Sequence, residues 1–283
     1  SYHFEGNKLA QEGRLSEAVA QWEQSLLVAP NYPLTHYNLG VGYYQLKDMV
    51  KAITCFERAI KLEPENIGAI YGLGLAYYEQ GLFEKAMGAF QRVVDREPDH
   101  PEALHNIGLI LAGQRRYDDA MEFFIKAIQV KPNYADAYYN MGTSQYDQGK
   151  FQEAILSLRQ ALDIQPEHIL ALHNLGLCYF RLGRYPEAKK AFLEVNRKDP
   201  SYLPVYFNLG LVYYHEQQYN QALSYFKEAG DRGFDSQVLN YNSGLVYRAL
   251  GKYDQARRLW ESILVQNSTG PLAATIREQL AAL

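Results

Sequence analysis

Apolar residues in this chain recur at helical spacing, and the same spacing returns at a fixed distance. From 169 to 182, Leu172, Leu175, Gly176, Tyr179 and Leu182 share one helical face. Gly183 follows, at a place where a helix ending in left-handed backbone favours glycine. A second apolar stripe (Ala188, Ala191, Phe192, Val195) ends at Asp199-Pro200, where the proline ring discourages further helix. The pattern predicts two helices joined by a tight turn.

That unit is written eight times. Glycines stand at Gly6, Gly40, Gly74, Gly108, Gly142, Gly176, Gly210 and Gly244, each 34 residues from the last. Ala18, Ala52, Ala86, Ala120, Ala154, Ala188, Ala222 and Ala256 keep the same step. Four residues after each alanine comes a large apolar side chain: Trp22, Phe56, Phe90, Phe124, Leu158, Phe192, Phe226 and Trp260. Prolines close six copies, at Pro30, Pro64, Pro98, Pro132, Pro166 and Pro200, and the other five fall at first-turn or loop positions. Four columns in one register mark a repeat architecture. The small residues let the two helices of a copy approach, and the aromatic is expected to fill the space toward the next copy. The turn slot holds glycine in five copies, while Lys47, Arg115 and Gln217 stand there in the others under backbone strain.

These columns resemble the tetratricopeptide repeat over essentially the whole chain. The resemblance implies an all-α, right-handed α-solenoid of eight 34-residue helix-turn-helix repeats, with each first helix lining a concave groove. The repeats fall at approximately 1–32, 33–66, 67–100, 101–134, 135–168, 169–202, 203–236 and 237–270, in a single superhelix over 1–283. Residues 271–283 place Leu272, Ile276, Leu280 and Leu283 on one face and read as a C-terminal capping helix. The first copy begins inside its first helix, so a preceding segment is expected. The joint at 230–236, with Phe234 where proline is the rule, is the expected irregular turn.

Composition removes several functions. Net charge is −4, and the first 141 residues hold 13 basic and 18 acidic side chains, so no basic patch offers itself to nucleic acid. No apolar run is long enough to span a bilayer, which speaks against direct membrane insertion of this segment. Two cysteines build neither a metal site nor a disulfide framework, a usage compatible with the cytoplasm that leaves the compartment open. His3, His105 and His173 share a column but stand at least two copies apart, too far to hold one metal. His215-Glu216 lacks the second histidine of a zinc-protease helix, and no phosphate-binding glycine loop occurs. Cys55 and Cys178 lie in apolar stripes as small core residues. The expectation is no catalytic residue, no metal and no cofactor.

The remaining candidates lie on the first helices. Three before each glycine stand Tyr37, Tyr71, Tyr139, Phe207 and Tyr241 with the three histidines, and four after it stand Tyr44, Tyr78, Tyr146, Phe180 and Tyr214. Tyrosine joins apolar area to a hydrogen-bonding tip and suits recognition. Two before the glycine runs a row of amides, Asn38, Asn106, Asn140, Asn174, Asn208 and Asn242, broken by Phe4 and Gly72. A row of amides offers donors and acceptors to an extended backbone. In this it is similar to the superhelical repeats of O-linked N-acetylglucosamine transferases, whose groove asparagines hold substrate backbone. The carboxylate clamp of co-chaperone members is not matched, because His3, Gly68 and Gly72 replace its cations. The sequence therefore points to a non-catalytic scaffold binding a partner peptide in its groove. Alternatives are a recruiting region of a larger enzyme such as a glycosyltransferase, an assembly factor for a membrane or secretion complex, and a self-associating building block.

Overall fold

A computed structural model describes residues 1–283. Seventeen α-helices and no strands make up the chain, and none of the helices is long and apolar enough to cross a membrane. The contacts divide it into two compact units, Ser1–Asn140 and Met141–Leu283, with the division falling inside one helix.

The first unit holds four helical hairpins. They are α1 (Tyr2–Gln11) with α2 (Leu15–Val28), α3 (Pro33–Gln45) with α4 (Met49–Leu62), α5 (Ile67–Glu79) with α6 (Phe83–Arg96), and α7 (Pro101–Gly113) with α8 (Tyr117–Val130). Helix α9 (Ala135–Asp147) starts in this unit and ends in the next. The second unit continues with α10 (Phe151–Ile164), α11 (Ile169–Arg181), α12 (Tyr185–Lys198), α13 (Pro204–His215), α14 (Tyr219–Asp231), α15 (Ser236–Ala249), α16 (Tyr253–Gln266) and α17 (Ala273–Ala281). This is the all-α solenoid of helix-turn-helix repeats expected from the period.

Each hairpin closes by one device. The turn slot has a positive φ in all eight copies, between 60° and 77°, whether it holds glycine or Lys47, Arg115 or Gln217. Strain at those three is therefore real, and the surrounding helix ends impose it. Within a hairpin the repeat glycine makes room for the apolar side chain of the second helix. A Cβ at Gly176 would lie 2.5 Å from the ring of Phe192, and one at Gly108 would lie 2.6 Å from Phe124. This corrects the sequence reading, which sent the aromatic only toward the next copy. The ring packs first on its own glycine. It also reaches forward: a Cβ at Gly42 would lie 3.2 Å from Trp22, and one at Gly72 would meet Phe56 at 2.6 Å, which accounts for glycine breaking the asparagine row there.

These rings form the core. Phe56, Phe90 and Phe124 in the first unit, and Phe192, Phe226 and Trp260 in the second, are fully buried. Each stabilises the fold by about 2–3 kcal/mol relative to an exposed side chain. Prolines open α3 and α7 at the first helical positions, where a missing N–H costs nothing. At the chain's end Ala273 and Ile276 of α17 are buried, and Leu272, Leu280 and Leu283 pack beside Trp260 and Ile263. The joint after α14 departs from the others: Gly233 takes φ 94°, and the Phe234 N–H reaches back to Ala229 O at 3.0 Å.

Candidate functional site

All sixteen aromatic and asparagine candidates are half-buried, none sealed and none fully exposed. What they touch divides them into three groups.

The asparagines sit at the seams between successive first helices. In the first unit the Asn38 Nδ2 donates to Asn7 Oδ1 at 2.8 Å, and the same oxygen accepts from Trp22 Nε1 at 2.9 Å. Asn106 Nδ2 donates to Tyr71 Oη at 3.1 Å, and Asn140 Nδ2 donates to His105 Nε2 and Asp136 O, both at 2.9 Å. In the second unit Asn174 Nδ2 donates to Thr143 Oγ1 at 3.1 Å and Asn208 Nδ2 to His173 Nε2 at 2.8 Å. Asn242 instead turns onto Val238 O of its own helix at 2.8 Å. The reason lies in the preceding copy, where Phe207 and Leu211 offer no polar atom at the corresponding places. The sequence reading of a row facing an extended backbone does not contain this use of the amide. The signal was present: each bonded asparagine follows a copy with His, Tyr, Asn or Thr three before or one after its glycine.

The column three before the glycine packs into the same seams. Tyr37 lies 6.2 Å from Phe56 and Tyr71 5.6 Å from Phe90, centroid to centroid, and Tyr71 also meets His100 at 5.0 Å. Phe207 stacks on Phe234 at 5.0 Å, so the residue standing where proline is the rule has a partner. Tyr241 packs by Trp260, whose Nε1 donates to the Tyr241 carbonyl at 3.1 Å, and Tyr139 is half-buried on α9.

His3, His105 and His173 are the buried members of this column, and the last two share one hydrogen-bonding pattern. Tyr134 Oη lies 3.2 Å from His105 Nδ1, and Tyr202 Oη lies 3.3 Å from His173 Nδ1. Because an amide nitrogen only donates, Nε2 of each ring is the bare acceptor and Nδ1 carries the proton toward tyrosine. Burial pushes both imidazoles down to about 4, so both are neutral at pH 7. Asp136 and Glu102 oppose that fall at His105 without reversing it.

The column four after the glycine lies at the hairpin turns, and four of its five rings meet the first residue of the following helix. Tyr78 meets Phe83 at 5.5 Å, Tyr146 meets Phe151 at 5.3 Å, Phe180 meets Tyr185 at 5.6 Å and Tyr214 meets Tyr219 at 6.0 Å. Burial first, then Glu79 beside it, raises the pKa of the Tyr44 hydroxyl. No candidate nucleophile emerges among the thiols, since burial pushes Cys55 up to about 11 and Cys178 up to about 12.

Family models described as tetratricopeptide repeat match residues 33–66, 71–137, 145–209, 204–231 and 238–268, and a further one described as TPR repeat matches 6–47. The chain belongs to the tetratricopeptide repeat family. Among solved structures it is similar to YrrB, described as a TPR protein with an unusual peptide-binding site, at 29% identity over 61% of this chain and 89% of that one, TM-score 0.54. MamA shares 25% identity over 60% of this chain and 92% of its own, TM-score 0.55. A tetratricopeptide repeat protein from Parabacteroides merdae ATCC 43184 shares the fold at 20% identity over 87% and 97%, TM-score 0.65. No curated protein gives a significant match to the sequence.

Proposed function

We propose that this chain is a non-catalytic protein-interaction scaffold that holds an extended segment of a partner polypeptide along its first helices. The observation that carries the reading is the half-buried aromatic array, each ring seated by packing and still reachable, as at Tyr44 and Tyr71 in one unit and Phe180 and Tyr214 in the other. Preformed aromatic area of this kind binds with little loss of side-chain freedom. The seam bonds commit the amide nitrogens of Asn38, Asn106 and Asn208 and leave their Oδ1 atoms without a bond inside the protein. Those oxygens are suited to accept backbone N–H groups of a bound segment. The likeness to YrrB supports the same reading. Fold alone does not choose a partner.

The test is selection from a displayed library of extended peptides, followed by fluorescence anisotropy with purified variants. Tyr44→Ala and Tyr214→Ala should each weaken selected peptides by about tenfold, the loss of one buried aromatic contact. Val265→Ser, on a fully solvated part of α16, should change nothing. Affinities within twofold of wild type for both tyrosine variants, or a selection that yields no binder, would dispose of the reading.

One observation favours a second reading, self-association. Phe4, Leu27 and Val28 are 71%, 76% and 75% exposed. At the position of Leu27 six of the seven following copies carry a polar residue, Lys61, Asp95, Gln129, Asp163, Arg197 or Asp231, and the last carries Val265. Sedimentation of wild type and Leu27→Lys across a concentration series separates the two, since a monomer at all concentrations excludes it.

A further inference from the structure

In two copies the residue five after the repeat glycine lies against the ring pair of the copy before. Arg181 spreads its guanidinium over Phe151 and Tyr146, at 4.9 and 5.9 Å from the ring centroids. His215, one copy later, stacks on Tyr185 at 4.8 Å and 10° and meets Phe180 edge-on at 5.3 Å. Glu79 keeps the same register against Tyr44 in the first unit. The corresponding residue beyond Tyr78 and Phe83 is Gly113, the last residue of α7, where an added Cβ would meet nothing within 4 Å.

The Tyr78–Phe83 pair is therefore built like the Tyr146–Phe151 pair but lacks its cover. The two pairs have nearly the same geometry, 5.5 Å and 70° against 5.3 Å and 61°. Phe83 is 43% exposed, whereas Phe151 beneath Arg181 is half-buried. One exposed carboxylate, Glu84, follows Phe83 in sequence, while Glu79, after Tyr78, is engaged by the Tyr44 hydroxyl.

We propose that the Tyr78–Phe83 notch is a seat for an arginine or lysine side chain of the partner polypeptide, filling the place that Arg181 fills in the chain itself. This rests on the peptide-scaffold reading for its biological source, but the seat is defined by local geometry alone. A cation over an aromatic face is held by the ring quadrupole, as the Arg181 guanidinium is held over Phe151. The matching Tyr214–Tyr219 pair also faces a small residue, Ala249, but it is flanked by His215 and Asn220 and offers no free carboxylate, since Glu216 pairs with Lys189 at 2.5 Å.

The experiment places 4-fluorophenylalanine at position 83 of the full chain and follows its ¹⁹F resonance during titration with N-acetyl-arginine N-methylamide. The neutral citrulline counterpart is the control. A saturable shift with the arginine probe is expected, about tenfold weaker with citrulline and abolished by Gly113→Arg, which supplies the missing guanidinium at a position with room for it. Equal response to citrulline, no saturable response, or an unchanged titration in Gly113→Arg would overturn the seat. A second arm takes library-selected peptides and replaces each Arg or Lys by Ala, expecting one position whose loss weakens wild type but not Gly113→Arg. Peptides that bind without such a position would end this proposal and leave the scaffold reading standing. A notch that takes the arginine probe while no peptide binds would do the reverse.

Discussion

Two of the three buried histidines, His105 and His173, make stability depend on pH in a direction and range fixed by their surroundings. His105 and His173 are only 7% and 8% exposed, and each is bound by an asparagine N–H and a tyrosine hydroxyl from the next copy. Their folded values are about 4 against an ordinary value of 6.5. The unfolded chain thus takes up protons first as pH falls. Above about pH 6.5 both states hold neutral rings and stability does not change. Between about 6.5 and 4 stability drains away, at about 1.4 kcal/mol per pH unit per ring. At pH 5 each ring has cost roughly 2 kcal/mol, and the pair about 4 kcal/mol if independent.

Independence is reasonable because the rings lie in different units, each bonded only to its own neighbours. The assay is urea unfolding of the full chain at pH 7.5 and 5.0, for wild type, His105→Gln, His173→Gln and the double variant. Glutamine keeps a donor and an acceptor but does not titrate, so every variant should be destabilised at pH 7.5 yet lose less on acidification. The difference should be about 2 kcal/mol per histidine removed. Imidazole NMR should show Nδ1-protonated neutral rings that remain neutral at pH 6. A double variant losing as much as wild type between the two pH values, or rings titrating near 6.5, would refute the reasoning.

Other expectations are more local. Asn208→Ala removes the donor from His173 Nε2 and should cost about 1 kcal/mol by urea unfolding at neutral pH. Gly176→Ala drives a methyl to 2.5 Å from Phe192 and should cost about 1–3 kcal/mol, whereas Gly88→Ala, on an exposed helical face with nothing within 4 Å, should raise stability by about 0.5–1 kcal/mol. Lys47→Gly relieves a left-handed lysine at φ 63° and should raise the unfolding midpoint by an amount equivalent to about 1 kcal/mol.

Much of this architecture was legible because it repeats. A single Gly183 or Phe192 is an ambiguous sign, but eight copies in register turn each into a geometric statement, and all eight turn slots have the left-handed backbone. The capping face of Leu272, Ile276 and Leu280 was legible for the same reason, as apolar spacing needs a neighbour to cover it. The seam chemistry was not read out, because it depends on pairs 29, 31 and 35 residues apart, such as His105 with Tyr134 and Asn140. A column read on its own shows a row of asparagines. Only the relation between columns of adjacent copies shows what each amide bonds. The same limit hid the contact of Arg181 with Tyr146 and Phe151, which joins two copies through residues that no single-copy pattern groups.

Two kinds of chemistry thus hold the stack, and they answer different requirements. Inside a hairpin the repeat glycine packs on one large buried side chain, a ring in seven copies and Leu158 in the other, so this contact sets how closely two helices pack. Between first helices the contacts are polar and vary: Asn38 with Asn7, Asn106 with Tyr71, Asn174 with Thr143. A directional bond has a preferred geometry where an apolar contact has little, so variation at the seams changes the exposed face without disturbing the core. A surface meant to recognise a partner has to be fixed in position and yet differ along its length. Joining uniform hairpins through variable polar seams supplies both conditions. The same seams titrate only where they contain histidine, which places acid sensitivity at the neighbourhoods of His3, His105 and His173 and leaves the glycine–ring layer indifferent to pH.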